Sequence, residues 1–286
     1  MAQTEPHATT ATRRRSRLLD IGTYILLIAA ILIWSVPVIW VVLTSLKPRT
    51  AIFNNPPTIF FQPTLQNYVE ALETGGILRS ILNSTIISVA STLLAILIAV
   101  PAAYAYARIR FRGRTALTFY TLLMQMAPPM GLLIPFYYAL SELDLLDTYV
   151  GLIAIYLTIT IPFSIWLLIT YFAEIPYELE EAATLDGATR FQAFVQVVMP
   201  LARGGIAVTT IFAFINAWND FLYAVVLSGP DTQPATVAIF GFLAAEESRW
   251  GPFTATAVLI MGPVIAIALV AQKHIVHGLS LGGVKG

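Results

Sequence analysis

The sequence predicts an all-α membrane protein that crosses the bilayer with six transmembrane helices. Of the 286 residues, 57% are hydrophobic and 11% are charged, and the mean hydropathy is +0.77. A typical soluble domain is about 45–50% apolar and about 25% charged. The chain therefore suits a lipid environment, in which a helix satisfies its own backbone hydrogen bonds.

Six apolar runs are long enough to cross about 30 Å of hydrocarbon at about 1.5 Å per residue. The first follows a basic stretch like that of a signal peptide, but its apolar part is longer than a signal core and lacks a cleavage site, so we predict an uncleaved span. Pro128 and Pro129 predict a kink in the third. The predicted spans are Leu18–Leu43, Ile81–Tyr106, Thr115–Leu140, Tyr149–Phe172, Gly204–Leu227 and Phe253–Gln272.

Lysine and arginine residues orient these spans. With the N-terminus in the cytoplasm, twelve of the 16 basic residues fall on the cytoplasmic side, as the positive-inside rule requires. The exceptions are Lys47, Arg49, Arg79 and Arg249. We therefore predict that both termini are cytoplasmic and that residues 174–203 form a cytoplasmic loop.

Composition excludes several classes of function. The net charge is zero, so no basic field favours nucleic acid, and the absence of cysteine removes thiolate chemistry, disulfides and Cys-based zinc sites. The lysines are Lys47, Lys273 and Lys285, and none stands in a Gly-x-x-x-x-Gly-Lys-Ser/Thr phosphate-binding loop. His274 and His277 lack a further ligand nearby, so no metal site is predicted. No catalytic constellation is visible, and we expect neither enzyme activity nor a cofactor in this chain.

A polar stretch at 174–203 interrupts the hydrophobic pattern. Pro176 suits the first turn of a helix, and three glutamates follow where the helix N-terminus favours negative charge. These features predict a short helix over Pro176–Leu185. Asp186 and Gly187 should end it, because glycine accepts the positive φ of a helix terminus.

A second helix is predicted after this turn. Thr189 and Gln192 have the spacing of a capping box, and Pro200 should end or kink the helix before the fifth span. Phe191 and Phe194 are expected to anchor it by burying aromatic surface. The bare alanines before the turn would let a partner approach the backbone closely. An amphipathic loop that lies on the membrane surface is the alternative that these features leave open.

The polar stretch resembles the cytoplasmic signature loop of bacterial ABC importer permeases. The resemblance rests on Glu181-Ala182-Ala183, three residues, Gly187, and a hydrophobic-hydrophobic-Pro ending at Pro200. Asn216–Leu222 and the terminus Gly278–Gly286 are similar to the shorter, six-span permease subunit of the maltose-type carbohydrate branch. The resemblance covers the chain from about its eighteenth residue to its end.

This resemblance implies a type I ABC importer permease fold with a cytoplasmic coupling helix, working by alternating access in a prokaryotic plasma (inner) membrane. It implies a second homologous permease subunit in a heterodimer, two ATP-binding subunits that hold ATP and Mg²⁺, and an extracytoplasmic solute-binding protein that delivers a sugar. By motif position, the residues that would couple to the ATPase are Glu181, Ala182, Ala183, Asp186, Gly187 and Pro200. The resemblance also implies that the C-terminal tail contacts the ATPase through Gly282, Gly283 and Lys285. The alternative is that this tail is frayed, as most chain termini are.

The predicted domain organisation follows from these segments. Residues 1–17 form a cytoplasmic tail, and residues 18–78 form the first transmembrane helix with its outer loop. Residues 79–273 form the permease core, which includes the coupling loop 174–203, and residues 274–286 form a cytoplasmic C-terminal tail.

Four polar side chains are candidates for a substrate path: Asn216, Asn219, Asp220 and Tyr223. In a continuous fifth span, Asn216, Asn219 and Tyr223 recur at helical spacing and share a face, with Asp220 adjacent. An ionisable group at membrane depth is costly, so it should meet water or the bundle interior. Either these side chains line a hydrated cavity and contact sugar hydroxyls, or they join helices by hydrogen bonds.

A secondary transporter or channel that works without ATP is the main alternative, although no inverted repeat is evident. An export permease or membrane scaffold is disfavoured because the signature loop resembles that of importers. The substrates open to this branch are oligosaccharides, disaccharides, sugar alcohols and glycerol-3-phosphate.

Overall fold

The computed structural model describes residues 10–74, 76–243 and 249–282, and all regular structure within these ranges is helical. A π-helical turn at Phe194–Val198 and a 3₁₀ turn at Ile239–Phe242 accompany the α-helices. In chain order the α-helices are α1 (Thr10–Ser45), α2 (Arg49–Ile52), α3 (Gln66–Thr74), α4 (Ile77–Arg108), α5 (Arg114–Met126), α6 (Pro129–Glu142), α7 (Tyr149–Glu174), α8 (Glu178–Leu185), α9 (Arg190–Ala193), α10 (Met199–Asn219), α11 (Leu222–Leu227), α12 (Ala235–Ala238) and α13 (Trp250–Gly282).

The helix lengths confirm the predicted all-α membrane fold. Among the described residues, five helices are long and apolar enough to cross a membrane, and the pair α5 and α6 makes a sixth when counted as one broken span. These two helices meet at 97°. The break follows from Pro128, which lacks an N–H and holds Ala127 in an extended conformation. The predicted kink is therefore confirmed as a sharp break.

Small residues allow α4, α7 and α10 to pack closely. Serine and alanine recur every three or four residues along one buried face of α4, which is how transmembrane helices bring their backbones together. On α10, a Cβ at Gly205 would lie 2.3 Å from the Tyr171 ring, so only glycine fits there. The buried small residues of α4 include Ser84, Ser88, Ser91, Ala95, Ala99 and Ala103.

Two hydrophobic clusters hold this three-helix bundle at its two ends. At the end that carries residues 109–113 and 175–198, here called the loop end, Ala103, Phe172 and Phe194 join α4, α7 and the π turn. At the opposite end, here called the far end, Ile87, Leu152 and Ala217 join α4, α7 and α10. The C-termini of α4 and α7 thus meet the N-terminus of α10, so α10 runs antiparallel to the other two.

The first helix lies outside this bundle. It packs along α13, and none of the side chains in its most apolar stretch is buried. Trp34 is 80% exposed and Ile33 is 70% exposed. A helix this apolar needs lipid or another subunit against its free faces.

One carboxylate organises the loop at the far end. Asp147 Oδ1 accepts hydrogen bonds from the Gly229 amide (2.8 Å), the Thr232 amide (3.0 Å) and the Thr232 hydroxyl (2.7 Å), and Oδ2 accepts one from the Asp231 amide (3.2 Å). A Cβ at Gly229 would lie 2.4 Å from Asp147 Oδ2. Burial raises the pKa of the Asp147 carboxyl, but the hydrogen bonds from Thr232, Gly229 and Asp231 outweigh it and hold the pKa below its ordinary value.

Replacing Asp147 by asparagine should destabilise the far end. The amide lacks the charge and one acceptor oxygen, and hydrogen bonds to charged groups contribute about 1.5–3 kcal/mol each, so we expect a loss of about 1–3 kcal/mol overall. Thermal unfolding followed by tryptophan fluorescence measures the effect. Asp144 is the matched control, because it is exposed and also has a positive φ (55°, against 54° for Asp147). Equal melting of D147N and D144N would contradict the assignment.

The same carboxylate predicts an acid limit to stability. Because the folded-state pKa of Asp147 is depressed, its contribution is fully present above the ordinary value of 3.8 and is lost as the pH falls through the lower folded value. Melting of the wild type should therefore fall more steeply than that of D147N as the pH is lowered below about 4.

Candidate coupling site

The loop at 174–203 folds as a helix, a tight turn and a second helix. Gly187 adopts a φ of +93°, its amide donates to Thr184 O (3.1 Å), and the Ala188 amide donates to Ala183 O (3.0 Å). These two bonds form a Schellman motif that closes α8. The predicted short helix and its glycine terminus are confirmed, with α8 beginning at Glu178.

The second helix begins with the predicted capping box. The backbone N–H of Gln192 donates to the side-chain Oγ1 of Thr189 (3.3 Å), and the backbone N–H of Thr189 donates to the side-chain Oε1 of Gln192 (2.8 Å). The box satisfies two backbone donors at the start of α9. The chain therefore leaves the turn in a fixed direction.

Pro200 does not end this helix, so of the two outcomes that the sequence predicted, an end at Pro200 is wrong. The π turn at Phe194–Val198 carries α9 directly into α10, so one helical segment runs from Arg190 to Asn219. A π turn absorbs the hydrogen bond that proline removes, because it shifts the backbone pairing just before the ring. The predicted fifth span at 204–227 thus starts earlier, and the coupling loop is continuous with it.

The two phenylalanines of α9 and the π turn have different environments. Phe194 is 8% exposed and its ring centroid lies 4.5 Å from that of Tyr104, so it anchors the loop as predicted. Phe191 is 73% exposed, so the prediction that it would be buried is wrong. Phe194 belongs to the cluster with Phe172 and Val198, whereas Phe191, about one helical turn earlier, lies against the Phe194 ring (centroids 6.4 Å apart) and stays outside the cluster.

Glu180 is the buried residue of α8 that attaches this helix to the rest of the protein. Its Oε1 lies 3.1 Å from Arg108 Nε in an ion pair whose side chains are only 8% and 10% exposed, and its Oε2 accepts a hydrogen bond from the Tyr104 hydroxyl (2.8 Å). Arg108 also donates through Nη2 to the carbonyl of Ile175. Because Tyr104 and Arg108 end α4, this contact ties α8 to that helix.

Sequence reasoning missed this contact. In the sequence, Glu180 is one of three glutamates whose negative charge suits a helix N-terminus. The helical period also places Glu180 and Ala183 on the same face of the helix. Which arginine would meet that face depends on how α4 and α7 pack, which the sequence does not state. Ala183 is accordingly half-buried and not part of a bare surface.

The remaining signature residues are exposed. Those at 181–187 lie at the projecting turn together with the apolar side chains of Leu185, which is 87% exposed, and Phe191, whereas Pro200 lies apart from them at the start of α10. An exposed apolar surface beside small residues is suited to contact with another protein. The exposed signature residues are Glu181, Ala182, Asp186, Gly187 and Pro200.

The four path candidates do not form one continuous face. Helix α10 ends at Asn219, Asp220 has an extended ψ of 128°, and α11 begins at Leu222. Asn216 and Asn219 are exposed, and their side chains form no hydrogen bond with any other described residue. Tyr223 is 2% exposed and packs on Phe136 with ring centroids 5.8 Å apart. The break in the helix thus separates Tyr223 from the two asparagines.

Asp220 has a structural role at this break. Its Oδ2 accepts a hydrogen bond from the Ala224 amide (3.1 Å), which satisfies a donor at the start of α11, and its carbonyl accepts one from the Thr236 hydroxyl (2.8 Å). The buried Tyr156 hydroxyl neighbours the carboxylate. Neither of the two sequence interpretations included this local capping.

The C-terminal candidates fall at the edge of the described chain. Gly282 is the last residue of α13, and Gly283 and Lys285 lie outside the described residues. The side chains of His274 and His277 also lie outside them. Within the described ranges, no group of three His, Cys, Asp or Glu side chains is placed to hold a metal ion.

Comparisons with known proteins agree with this architecture. Residues 91–281 match the family described as "Binding-protein-dependent transport system inner membrane component". The chain is 37% identical over 256 residues to the trehalose transport system permease protein SugB of Mycobacterium tuberculosis, with 87% of this chain and 92% of the relative covered. It is 33% identical over 274 residues to the trehalose/maltose transport system permease protein MalG of Thermococcus litoralis, with 94% and 96% covered.

A solved structure extends the comparison to the fold. A chain in the crystal structure of a bacterial ABC transporter involved in the import of the acidic polysaccharide alginate superimposes with a TM-score of 0.75 at 25% identity, covering 94% of this chain and 99% of that one. The alternative of an ATP-independent transporter or channel is therefore set aside. The chain belongs to the binding-protein-dependent family of ABC importer permeases and is a multi-pass inner-membrane protein that is not itself the ATPase.

Proposed function

We propose that this chain is a permease subunit of an ATP-driven, binding-protein-dependent importer of a sugar or related polyol, and that it forms half of the pathway. The relatives that support a sugar are the trehalose and trehalose/maltose permeases, and the alginate transporter supports a saccharide more broadly. The observation that supports the coupling role is the structure of the loop 174–203. Its turn is exposed, its helix α8 is attached to α4 by the buried ion pair, and its second helix continues directly into a transmembrane span.

The topology follows from the basic residues. We place the loop end and both termini in the cytoplasm, because this orientation puts twelve of the 16 basic residues inside, six of them the arginines of residues 108–114 and the loop 174–203. Asp147 and the loop around Gly229 then face the outside, where a solute-binding protein delivers its ligand.

Each partner in the proposed assembly has a separate role. Two ATPase subunits hold ATP and Mg²⁺ and contact the exposed signature surface, and Gly282, Gly283 and Lys285 reach the same subunits. A second, homologous permease completes a heterodimer. The free apolar faces of α1 and α13 provide a surface for that subunit or for lipid.

The geometry supports a direct transmission of ATPase motion. Movement of the loop 174–203 pulls on α4 through Glu180 of α8 and Arg108, and on α7 through the cluster of Phe194 in the π turn with Phe172. The continuous helix from Arg190 to Asn219 carries the same movement to the far end. Alternating access then results from the bundle rocking around the path.

Asn216 and Asn219 are the proposed sugar contacts of this chain. Their exposed amides offer both donors and acceptors, and no described residue competes for them. Gln125 shows the other use of an amide, because its Nε2 donates to Pro162 O at 3.1 Å and joins α5 to α7.

Substituting Gly187 should uncouple ATP hydrolysis from uptake. A β-branched residue is strained at a φ of +93°, although a Cβ there would meet no atom within 4 Å, so the cost comes from the backbone alone. We expect G187V, or deletion of the residue, to lower sugar uptake per ATP hydrolysed about tenfold or more, and G187N, which tolerates this conformation, to retain most of it. Uptake and phosphate release in proteoliposomes measure the ratio.

Gly113 provides the matched control for that experiment. It has a φ of +90° and open space around its Cβ position, but it precedes α5, outside the coupling loop. We expect G113V to preserve the ratio of uptake to hydrolysis. Normal sugar uptake by G187V would contradict the coupling role.

Substituting Asn216 or Asn219 by alanine should weaken sugar recognition. Losing one or two hydrogen bonds of about 1 kcal/mol each raises the KM for uptake about 5- to 30-fold, while the assembled transporter keeps its melting temperature. Q125A should instead lower the melting temperature and leave the KM unchanged. An unchanged KM with impaired assembly in N216A and N219A would assign these residues to helix or subunit packing.

A further inference from the structure

A basic cavity at the loop end shares part of its wall with the coupling ion pair, but it also holds three arginines to which the coupling described above gives no role. Its volume is about 830 Å³, and it opens between the end of α4, the loop 109–113 and α8. Glu180 and Glu181 are the carboxylates on its wall. Four guanidinium groups line it, from Arg108, Arg110, Arg114 and Arg190.

The charges in this cavity do not balance within the chain. Arg108 is neutralised by Glu180 in the buried ion pair. The side chains of Arg110, Arg114 and Arg190 form no ion pair or hydrogen bond with any described residue, and Glu181 is the remaining carboxylate. The cavity therefore keeps a net positive charge that an anion would compensate.

The cavity lies where the chain enters the membrane. Arg114 is the first residue of α5, and this helix presents Leu117, Phe119 and Tyr120 outward with 45%, 59% and 55% of each side chain exposed. These exposed apolar side chains lie within two helical turns of Arg114, on the part of α5 that leads into the bilayer. Arginines at a membrane boundary beside exposed aromatic side chains are the chemistry that recognises a phosphate headgroup with attached acyl chains.

We propose that this cavity binds the phosphate headgroup of an anionic phospholipid of the cytoplasmic leaflet, with the acyl chains along α5. The proposal rests on the topology proposed above. The phosphate accepts hydrogen bonds from Arg110, Arg114 and Arg190, because guanidinium groups pair with phosphate oxygens in two-point contacts. The lipid occupies the space beside α8, so it supports the wall from which the coupling helix projects.

The test measures lipid retained by the full chain purified with its co-expressed partner subunits. The transporter is equilibrated with phosphatidylglycerol and phosphatidylethanolamine of identical acyl chains, and bound lipid is counted by native mass spectrometry. Each basic residue near a membrane surface contributes a factor of about five, so R110A, R114A and R190A should each lower the preference for phosphatidylglycerol about fivefold.

Arg112 is the matched control. It lies in the same loop and is exposed, but it does not line the cavity. We expect R112A to retain phosphatidylglycerol as the wild type does. Equal losses in R112A and R114A would mean a diffuse surface attraction and would overturn the site.

Two further arms separate other occupants from a lipid. Inorganic phosphate in excess should not displace phosphatidylglycerol, and displacement would assign the cavity to a free anion.

Retention should also be the same before and after the ATPase subunits are stripped from the complex. If phosphatidylglycerol binds only to the stripped permease, the cavity belongs to the ATPase contact and the lipid proposal is wrong.

Failure of this proposal is distinguishable from failure of the proposed topology. The chain has no cysteine, so R112C can be labelled selectively by a membrane-impermeant maleimide. Labelling only from the cytoplasmic side, together with no lipid preference, overturns the lipid site alone. Labelling from the outside overturns the topology on which both proposals depend.

Discussion

The ion pair between Glu180 and Arg108 is the contact on which the arrangement of the loop end depends. A buried charge without a partner costs several kcal/mol, so each of these residues requires the other to stay in place. Tyr104 adds a hydrogen bond to the same carboxylate, and Arg108 reaches the carbonyl of Ile175 at the end of α7. One carboxylate thus fixes α8 relative to two membrane helices.

This attachment explains how a short exposed helix can act on a membrane bundle. The signature turn at Gly187 projects from the loop, but both of its flanks are held: one by Glu180, the other by Phe194 and Val198 in the hydrophobic cluster. The π turn keeps the second flank continuous with α10 despite Pro200. In the mechanism we propose, a force on the turn therefore reaches α4, α7 and α10 together, with no flexible joint between them.

Local signals in the sequence predicted local structure well. Gly187, Thr189 and Gln192 define the turn and the capping box through backbone chemistry that needs no tertiary context, and the apolar runs predicted the spans. Features that depend on how the helices pack were not predicted. The helix break at Asp220 overturned a face extrapolated across it, and the partner of Glu180 became visible only once α4 and α7 were placed.

The most direct test of this account is the number of sugar molecules imported per ATP hydrolysed when the carboxylate of Glu180 is neutralised. E180Q keeps the shape of the side chain and removes the charge that holds Arg108, whereas E178Q makes the same change at an exposed position of α8. Normalised to the assembled transporter, the account predicts a ratio several-fold lower in E180Q and unchanged in E178Q. A wild-type ratio in E180Q would contradict it.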